Sequence, residues 1–259
     1  MYKLYQVDAF TNELFGGNPA AIVPLESWLS DDVLQAIALE NNLSETAFFV
    51  PEGSGFQLRW FTPGMEVDLC GHATLATAHV LFEHLDYAGQ QITFQSRSGA
   101  LYVTRAEQGY RMDFPADLAE VVNPPEALVK ALGELPLEVL KGKEDYMAVF
   151  PDEATIRDLQ PDFRKMMELG GRGVIATAPG NYVDFVSRCF FPNAGIDEDP
   201  VTGSAHTVMT PYWAEKLGKN TLEARQISAR GGELLCTLEG DRVFLEGEAV
   251  SFLEGTFKI

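Results

Sequence analysis

The chain is poor in cysteine: Cys70, Cys189 and Cys236 are the only three in 259 residues, and no two are near one another. That spacing gives neither a disulfide framework nor the paired ligands of a zinc site, and it suits the reduced thiols of a cytosol. Basic residues are scarce as well. Against 38 Asp and Glu stand 19 Lys and Arg, a net charge of −19 with no basic run to offset it, which argues against nucleic acid and anionic membranes as partners. No apolar run approaches the roughly 18 residues of a membrane span, and Met1-Tyr2-Lys3-Leu4 opens no apolar signal segment. A soluble cytoplasmic protein is expected. The 4 histidines, His72, His79, His84 and His206, show no metal-ligand spacing, so no metal is expected. Neither Gly-x-Gly-x-x-Gly nor a phosphate loop occurs at a strand-to-helix junction, so no nucleotide cofactor is expected, and the absence of Gly-x-Ser-x-Gly argues against a serine hydrolase at Ser204.

What the chain does contain is a repeat. Arg59-Trp60-Phe61-Thr62-Pro63, followed by Cys70-Gly71-His72-Ala73, recurs half a chain later as Arg188-Cys189-Phe190-Phe191-Pro192, followed by Thr202-Gly203-Ser204-Ala205. Leu29 to Phe48 lines up with Leu159 to Ala178, and Ser98-Gly99-Ala100-Leu101 with Gly231-Gly232-Glu233-Leu234. Solenoid periods are a few tens of residues, so a repeat this long is a duplicated domain. A hydrophobic content of 46% supports a core in each half. The expected division is an N-terminal lobe over 1–115, joined if the last strand returns by residues 249–259, and a C-terminal lobe over 116–248, with a crossover where Pro115, Pro124 and Pro125 interrupt the pattern.

Short strand-like runs dominate, among them Leu4 to Phe10, Ala20 to Pro24, Thr46 to Val50, Phe56 to Phe61, Tyr146 to Phe150, Val174 to Thr177, Tyr182 to Phe191 and Ile227 to Ala229. Helices are fewer. Asp31 to Asn41 follows Ser30, an expected N-cap, and carries one apolar stripe. His72 to Leu85 and Ser204 to Leu217 are apolar over most of their circumference, which predicts two buried helices. The fold class is α+β, two similar lobes, each a bent and mostly antiparallel sheet around a buried helix.

Each buried helix begins at a glycine, Gly71 before His72 and Gly203 before Ser204. The opening amides of a helix have no internal partner and sit at the positive end of its dipole, so each start suits a carboxylate or an enolate. Taken singly, either glycine reads as a turn before a helix. Cys70 stands where the second half has Thr202, so a racemase with paired thiols lacks its second sulfur, and Cys70 reads better as a small packed residue. Glu45, in Leu43-Ser44-Glu45-Thr46-Ala47, has an apolar counterpart near Ile175, which suggests a single acid/base group, although position alone also fits a surface glutamate. Asp199 precedes the second helix and also reads as a dipole partner, His72 as a cap, and Gly17-Asn18-Pro19 as a turn from which Asn18 reaches a ligand.

Together, Gly17-Asn18-Pro19-Ala20-Ala21, Leu43-Ser44-Glu45-Thr46-Ala47-Phe48, Arg59-Trp60-Phe61-Thr62-Pro63, Asp68-Leu69-Cys70-Gly71-His72-Ala73-Thr74 and Asp199-Pro200-Val201-Thr202-Gly203-Ser204-Ala205 resemble the PhzF-like family of phenazine-biosynthesis-type isomerases. The resemblance spans essentially the whole chain. It implies a fold related to diaminopimelate epimerase and proline racemase, an active site in the cleft between the lobes, no cofactor, and a homodimer. It implies further that Glu45 is the catalytic acid/base, that His72, Asp199 and Ser204 handle polar groups of a small carboxylate substrate, and that the amides around Gly71 and Gly203 clamp the carboxylate. A non-catalytic binder of small acids, and a cysteine-based epimerase using Cys70, are the alternatives.

Overall fold

Apolar runs from the two halves pair into ladders laid down in the same order. In the computed structural model, which describes all of residues 1–259, the chain divides into two compact units, residues 1–113 with 246–259, and residues 114–245.

In the first unit, β1 (Tyr2–Ala9) runs antiparallel to β2 (Asn18–Pro24). After α1 (Asp31–Asn41) the chain returns as β3 (Glu45–Glu52), parallel to β2 with Ala20 opposite Glu45. β4 (Gly55–Phe61) turns back antiparallel on β3 and pairs with the short β5 (Glu66–Val67). α2 (Gly71–Glu83) leads to β6 (Gln91–Ser96), parallel to β4, and β7 (Gly99–Arg105) and β8 (Tyr110–Pro115) continue antiparallel.

The two helices lie on opposite faces of these strands. Leu34, Ile37 and Ala38 of α1 share a core with Val23, Phe48, Val50 and Phe61, while α2 packs on β1, β2 and β3. Strand side chains alternate, so if Phe48 and Val50 face α1, then Glu45, Ala47 and Phe49 face α2. The expected helix over Asp31–Asn41 has those bounds, and its two first-turn acids, Asp31 and Asp32, complement the dipole. Ser30 caps it differently from expectation. Its hydroxyl makes no capping bond, and its carbonyl accepts from the amides of Val33 and Leu34 instead. In α2 every residue from His72 to Phe82 is buried, as the all-round apolar pattern predicts.

In the second unit, β9 (Glu120–Val122) leads through α3 (Glu126–Leu132) to β10 (Glu138–Lys141), which pairs antiparallel with β9 and with β11 (Tyr146–Val149). Two short helices, α4 (Glu153–Asp158) and α5 (Phe163–Met166), precede β12 (Val174–Pro179), parallel to β11. β13 (Phe185–Phe191) is antiparallel to β12 and carries β14 (Ile196–Asp199). α6 (Gly203–Leu217) then leads to β15 (Thr221–Gln226), parallel to β13, followed by β16 (Gly232–Glu239) and β17 (Arg242–Gly247). The last strand, β18 (Ala249–Phe257), pairs with β1 of the first unit. Side chains of α3, α4 and α5 share a core with Val174 and Ala176 of β12, and Trp213 of α6 donates to Thr177 on the other face of that strand at 3.0 Å.

Two expectations need correction. The strand read at Ile227 to Ala229 lies instead at Thr221–Gln226, where only Leu222, Ala224 and Gln226 point inward and the polar Gln226 disguises the pattern. The strand read from Tyr182 begins at Phe185. The proline-interrupted crossover lies beside the boundary between the units, after Asp113, and holds a short strand, β9, at Glu120–Val122. No helix of the chain is long and apolar enough to cross a membrane.

Candidate active site

In the first unit, the turn that ends α1 places Glu45. Asn42 closes the helix in the left-handed region at φ 50°, and Asn41 Nδ2 donates to Thr46 Oγ1 at 3.1 Å, tying the helix end to β3. Glu45 is then the first strand residue, on the α2 face and 9% exposed. Cys70, extended at φ −145°, is the N-cap of α2, and the first helical bond described there runs from Thr74 N to the Cys70 carbonyl. The amides of Gly71, His72 and Ala73 therefore have no acceptor within the helix.

His72 joins the other two. Its Nε2 lies 3.2 Å from Glu45 Oε2 and its Nδ1 lies 3.5 Å from Cys70 Sγ. All three side chains are buried, and neither Glu45 Oε2 nor His72 Nε2 has a well-aligned hydrogen bond. Burial disfavours charge on His72, but the Cys70 sulfur and the Glu45 carboxylate on its two sides raise it well above the ordinary 6.5. Burial, and then the charge of Glu45, push the Cys70 thiol above its ordinary 9.0. Potential ligand atoms of Glu45, Cys70 and His72 lie within 4.8 Å of one another. Yet the glutamate and the thiol face different ring nitrogens, so an ion joining all three would require the imidazole to turn. Asn18 opens β2, two residues before Ala20, on the face that carries Glu45, and is fully buried. Gly17 before it, at φ 60°, has no room for a Cβ, which would come within 2.2 Å of the Ala9 carbonyl oxygen.

The second unit presents the matching helix start with other chemistry. The hairpins align the halves: Phe48 pairs with Arg59 and Ala176 with Arg188, while Trp60 pairs with Val67 and Cys189 with Asp199. By that register the counterpart of Glu45 is Gly173 rather than a residue at Ile175, and the counterpart of Asp199 is Val67. Asp199 is buried and accepts from Thr202 Oγ1 at 2.5 Å. His206 donates from Nδ1 to the Thr202 carbonyl at 2.7 Å, as Thr74 Oγ1 does to the Cys70 carbonyl at 2.6 Å.

Gln226 and the pair Asp145–Arg172 were not singled out from the sequence. Gln226, fully buried, accepts from Thr202 N at 2.9 Å and donates to the Asp199 carbonyl at 2.7 Å, bracing the segment that leads into α6. Arg172 donates to Ser204 Oγ at 3.0 Å and forms a two-point ion pair with buried Asp145. The only signal for Gln226 was the inward phase of β15. For Arg172 and Asp145 there was none, because 27 residues separate them in the chain. The repeated arginines are matched struts: Arg59 grips both carboxylate oxygens of Glu66, and Arg188 both of Glu198. Cys189 and Cys236 are fully buried in the core.

The family profile described as phenazine biosynthesis-like protein matches residues 7–255. The chain belongs to that family. An uncharacterized isomerase of Pseudomonas aeruginosa is 53% identical over 256 residues, covering 99% of this chain and 98% of that one. A crystal structure of a phenazine biosynthesis PhzF family protein from Enterococcus faecalis superposes with a TM-score of 0.97 at 49% identity, covering 100% of this chain and 99% of the other. A probable proline racemase from Agrobacterium radiobacter, solved with bound carbonate, shares the fold at a TM-score of 0.67 and 10% identity, covering 100% of this chain and 93% of that one. The chain is thus an isomerase of the phenazine biosynthesis-like family, on a diaminopimelate epimerase-like fold.

Proposed function

We propose that the chain is a cofactor-independent isomerase that moves a proton between two carbons of a small carboxylate, with Glu45 as the acid/base. The observation that carries this reading is the Glu45–His72 pair, a buried carboxylate 3.2 Å from an imidazole at the start of α2. In the reaction, the Glu45 carboxylate takes a proton from a carbon and the C–H electron pair passes into the substrate's π system. Glu45 then returns the proton to a second carbon as the electron pair closes on it, so no oxidant or reductant is consumed. The charge that develops is met by the first-turn amides of Gly71 and His72 and by the His72 ring. Asn18 orients a polar group of the substrate. Asp199 and Ser204 handle further polar groups of the substrate and the amides around Gly203 help clamp its carboxylate, a reading supported by their match to the family's motifs.

A cysteine-based epimerase is disfavoured by the pair Cys70 and Thr202. The Cys70 thiol is pushed up by burial and by Glu45, away from the reactive thiolate, and the Thr202 hydroxyl is committed to Asp199. Incubation with small unsaturated and amino carboxylic acids in heavy water tests the assignment. Solvent deuterium is expected to enter the substrate with the native protein and with Cys70→Ser, and to be slowed about a hundredfold or more in Glu45→Gln. Uptake that survives Glu45→Gln and stops in Cys70→Ser would reverse it, and binding without exchange in the native protein would make the chain a binder. The homodimer implied by the resemblance belongs to the same proposal and is read by sedimentation equilibrium.

A further inference from the structure

In a chain with a net charge of −19, three cations converge on one open pocket of the second unit. The pocket has a volume of about 530 Å³, within the range of small-molecule sites. Lys141, Lys143 and Arg172 line it, with Glu144, Tyr146 and Gly171.

Two of its cations, Arg172 and Lys141, are held in place. Asp145 binds Nε and one terminal nitrogen of Arg172, and that same nitrogen donates to Ser204 Oγ, while the Phe191 ring lies 4.5 Å below the guanidinium. The other terminal nitrogen makes no such bond, so the fork is pre-oriented with one arm available to a ligand. Lys141 Nζ donates to the Glu144 carbonyl at 2.8 Å and sits 4.3 Å over the Tyr146 ring, which leaves the ammonium further donors. Gly171, at φ 73°, keeps this approach open, since a Cβ there would come within 2.7 Å of the Glu144 carbonyl oxygen and 3.1 Å of Lys141 Nζ. Lys143 adds an exposed charge at the rim. The one carboxylate in the lining is Glu144, 3.6 Å from Arg172 Nε; Asp145 is buried and already paired.

We propose that this pocket is an anion subsite for a carboxylate or phosphate group, and that the substrate is a small dianion whose second charge it binds. The substrate part rests on the reading of Ser204 as a substrate-handling residue, since Arg172 joins Ser204 to the pocket. A monoanion held at a helix start would leave Lys141 and Lys143, whose ammonium groups have no carboxylate partner, and the free arm of Arg172 without an anion. A dianion would place one charge at a helix start and the other on Arg172, Lys141 and Lys143.

Titration calorimetry on the full chain, at constant ionic strength, tests the subsite with inorganic phosphate and succinate as probes and acetate as the monoanionic comparison. Saturable binding of phosphate and succinate, tighter than acetate, is expected. Lys143→Glu and Arg172→Lys are expected to weaken it at least about tenfold, as for loss of one charge-assisted hydrogen bond. Lys258→Glu, the same charge change on an exposed residue next to the C-terminal Ile259, in the first unit, should leave it unchanged. No saturable binding, or equal affinity in all four proteins, overturns the subsite. Deuterium exchange separates the two sources of the anion. If Lys143→Glu raises KM for dianionic substrates at constant kcat and spares monoanionic ones, the group belongs to the substrate. If phosphate binding depends on Lys143 and Arg172 while exchange does not, the substrate part falls and a free-anion site remains. Absence of exchange in the native protein, with phosphate binding intact, counts against the isomerase mechanism and not against the subsite.

Discussion

Glu45 and Gly173 hold the same position in two copies of one ladder, three residues before Phe48 and Ala176, the partners of Arg59 and Arg188. A Cβ on Gly173 would lie 2.0 Å from the Phe190 carbonyl oxygen, so the second unit has no space for a side chain where the first places its carboxylate. The asymmetry of the repeat is thus built into backbone packing. Gly173→Ala is expected to cost about 3 kcal/mol or more in urea unfolding, because main chain has to move. Loss of less than about 1 kcal/mol would show that the backbone yields easily there.

His72 makes the protein sensitive to alkali. Its folded-state value is raised well above the ordinary 6.5 by its two neighbours against the cost of burial. The stability contributed by the raised value of His72 is therefore fully present at pH 6.5 and is lost as pH rises through the raised value. Native stability, followed by chemical denaturation, should fall across that window, and the fall should be absent in His72→Asn. Deuterium exchange should drop about tenfold to a hundredfold in the same variant.

Two other histidines act in the acid range. His79 and His206 are both lowered from 6.5 to about 4, chiefly by burial. The unfolded chain binds their protons first as pH falls, so their contribution is present above pH 6.5 and is lost between 6.5 and about 4. Each accounts for a loss on the order of 3 kcal/mol. His206→Asn should flatten the stability profile in that window by about half, as measured by urea midpoints at successive pH values; an unchanged slope would contradict the assignment.

Gln226 is expected to matter more than its type suggests. Gln226→Leu strips partners from the Thr202 amide and the Asp199 carbonyl in a fully buried place. About 2–4 kcal/mol of stability should be lost. Hydrogen exchange at the Thr202 amide should rise with it, whereas a purely volumetric role for Gln226 would leave that amide protected.

Much of the fold was legible because the pattern was repeated and locally written. The helix Asp31–Asn41 announces itself by one apolar stripe, and α2 by having almost no polar face. β15 was misplaced because its third inward residue is Gln226, and a buried polar side chain carries no hydrophobic signal. The short helices α4 and α5, of six and four residues, offer too few turns for a period to show.

Sequence alone determined the order of strands and buried helices, the glycine at each helix start, and which half carries Glu45, Cys70 and His72, because these depend on neighbours along the chain. Which atoms meet was decided by tertiary structure. β3 is buried on both faces, so no alternation shows that Glu45 points toward α2. Only the packing of α2 against that face sets His72 3.2 Å from Glu45, and only the pairing of β11 with β12 brings the flanking Asp145 and Arg172 together and reaches Ser204. Contacts across such separations depend on register and helix placement, which no local propensity encodes.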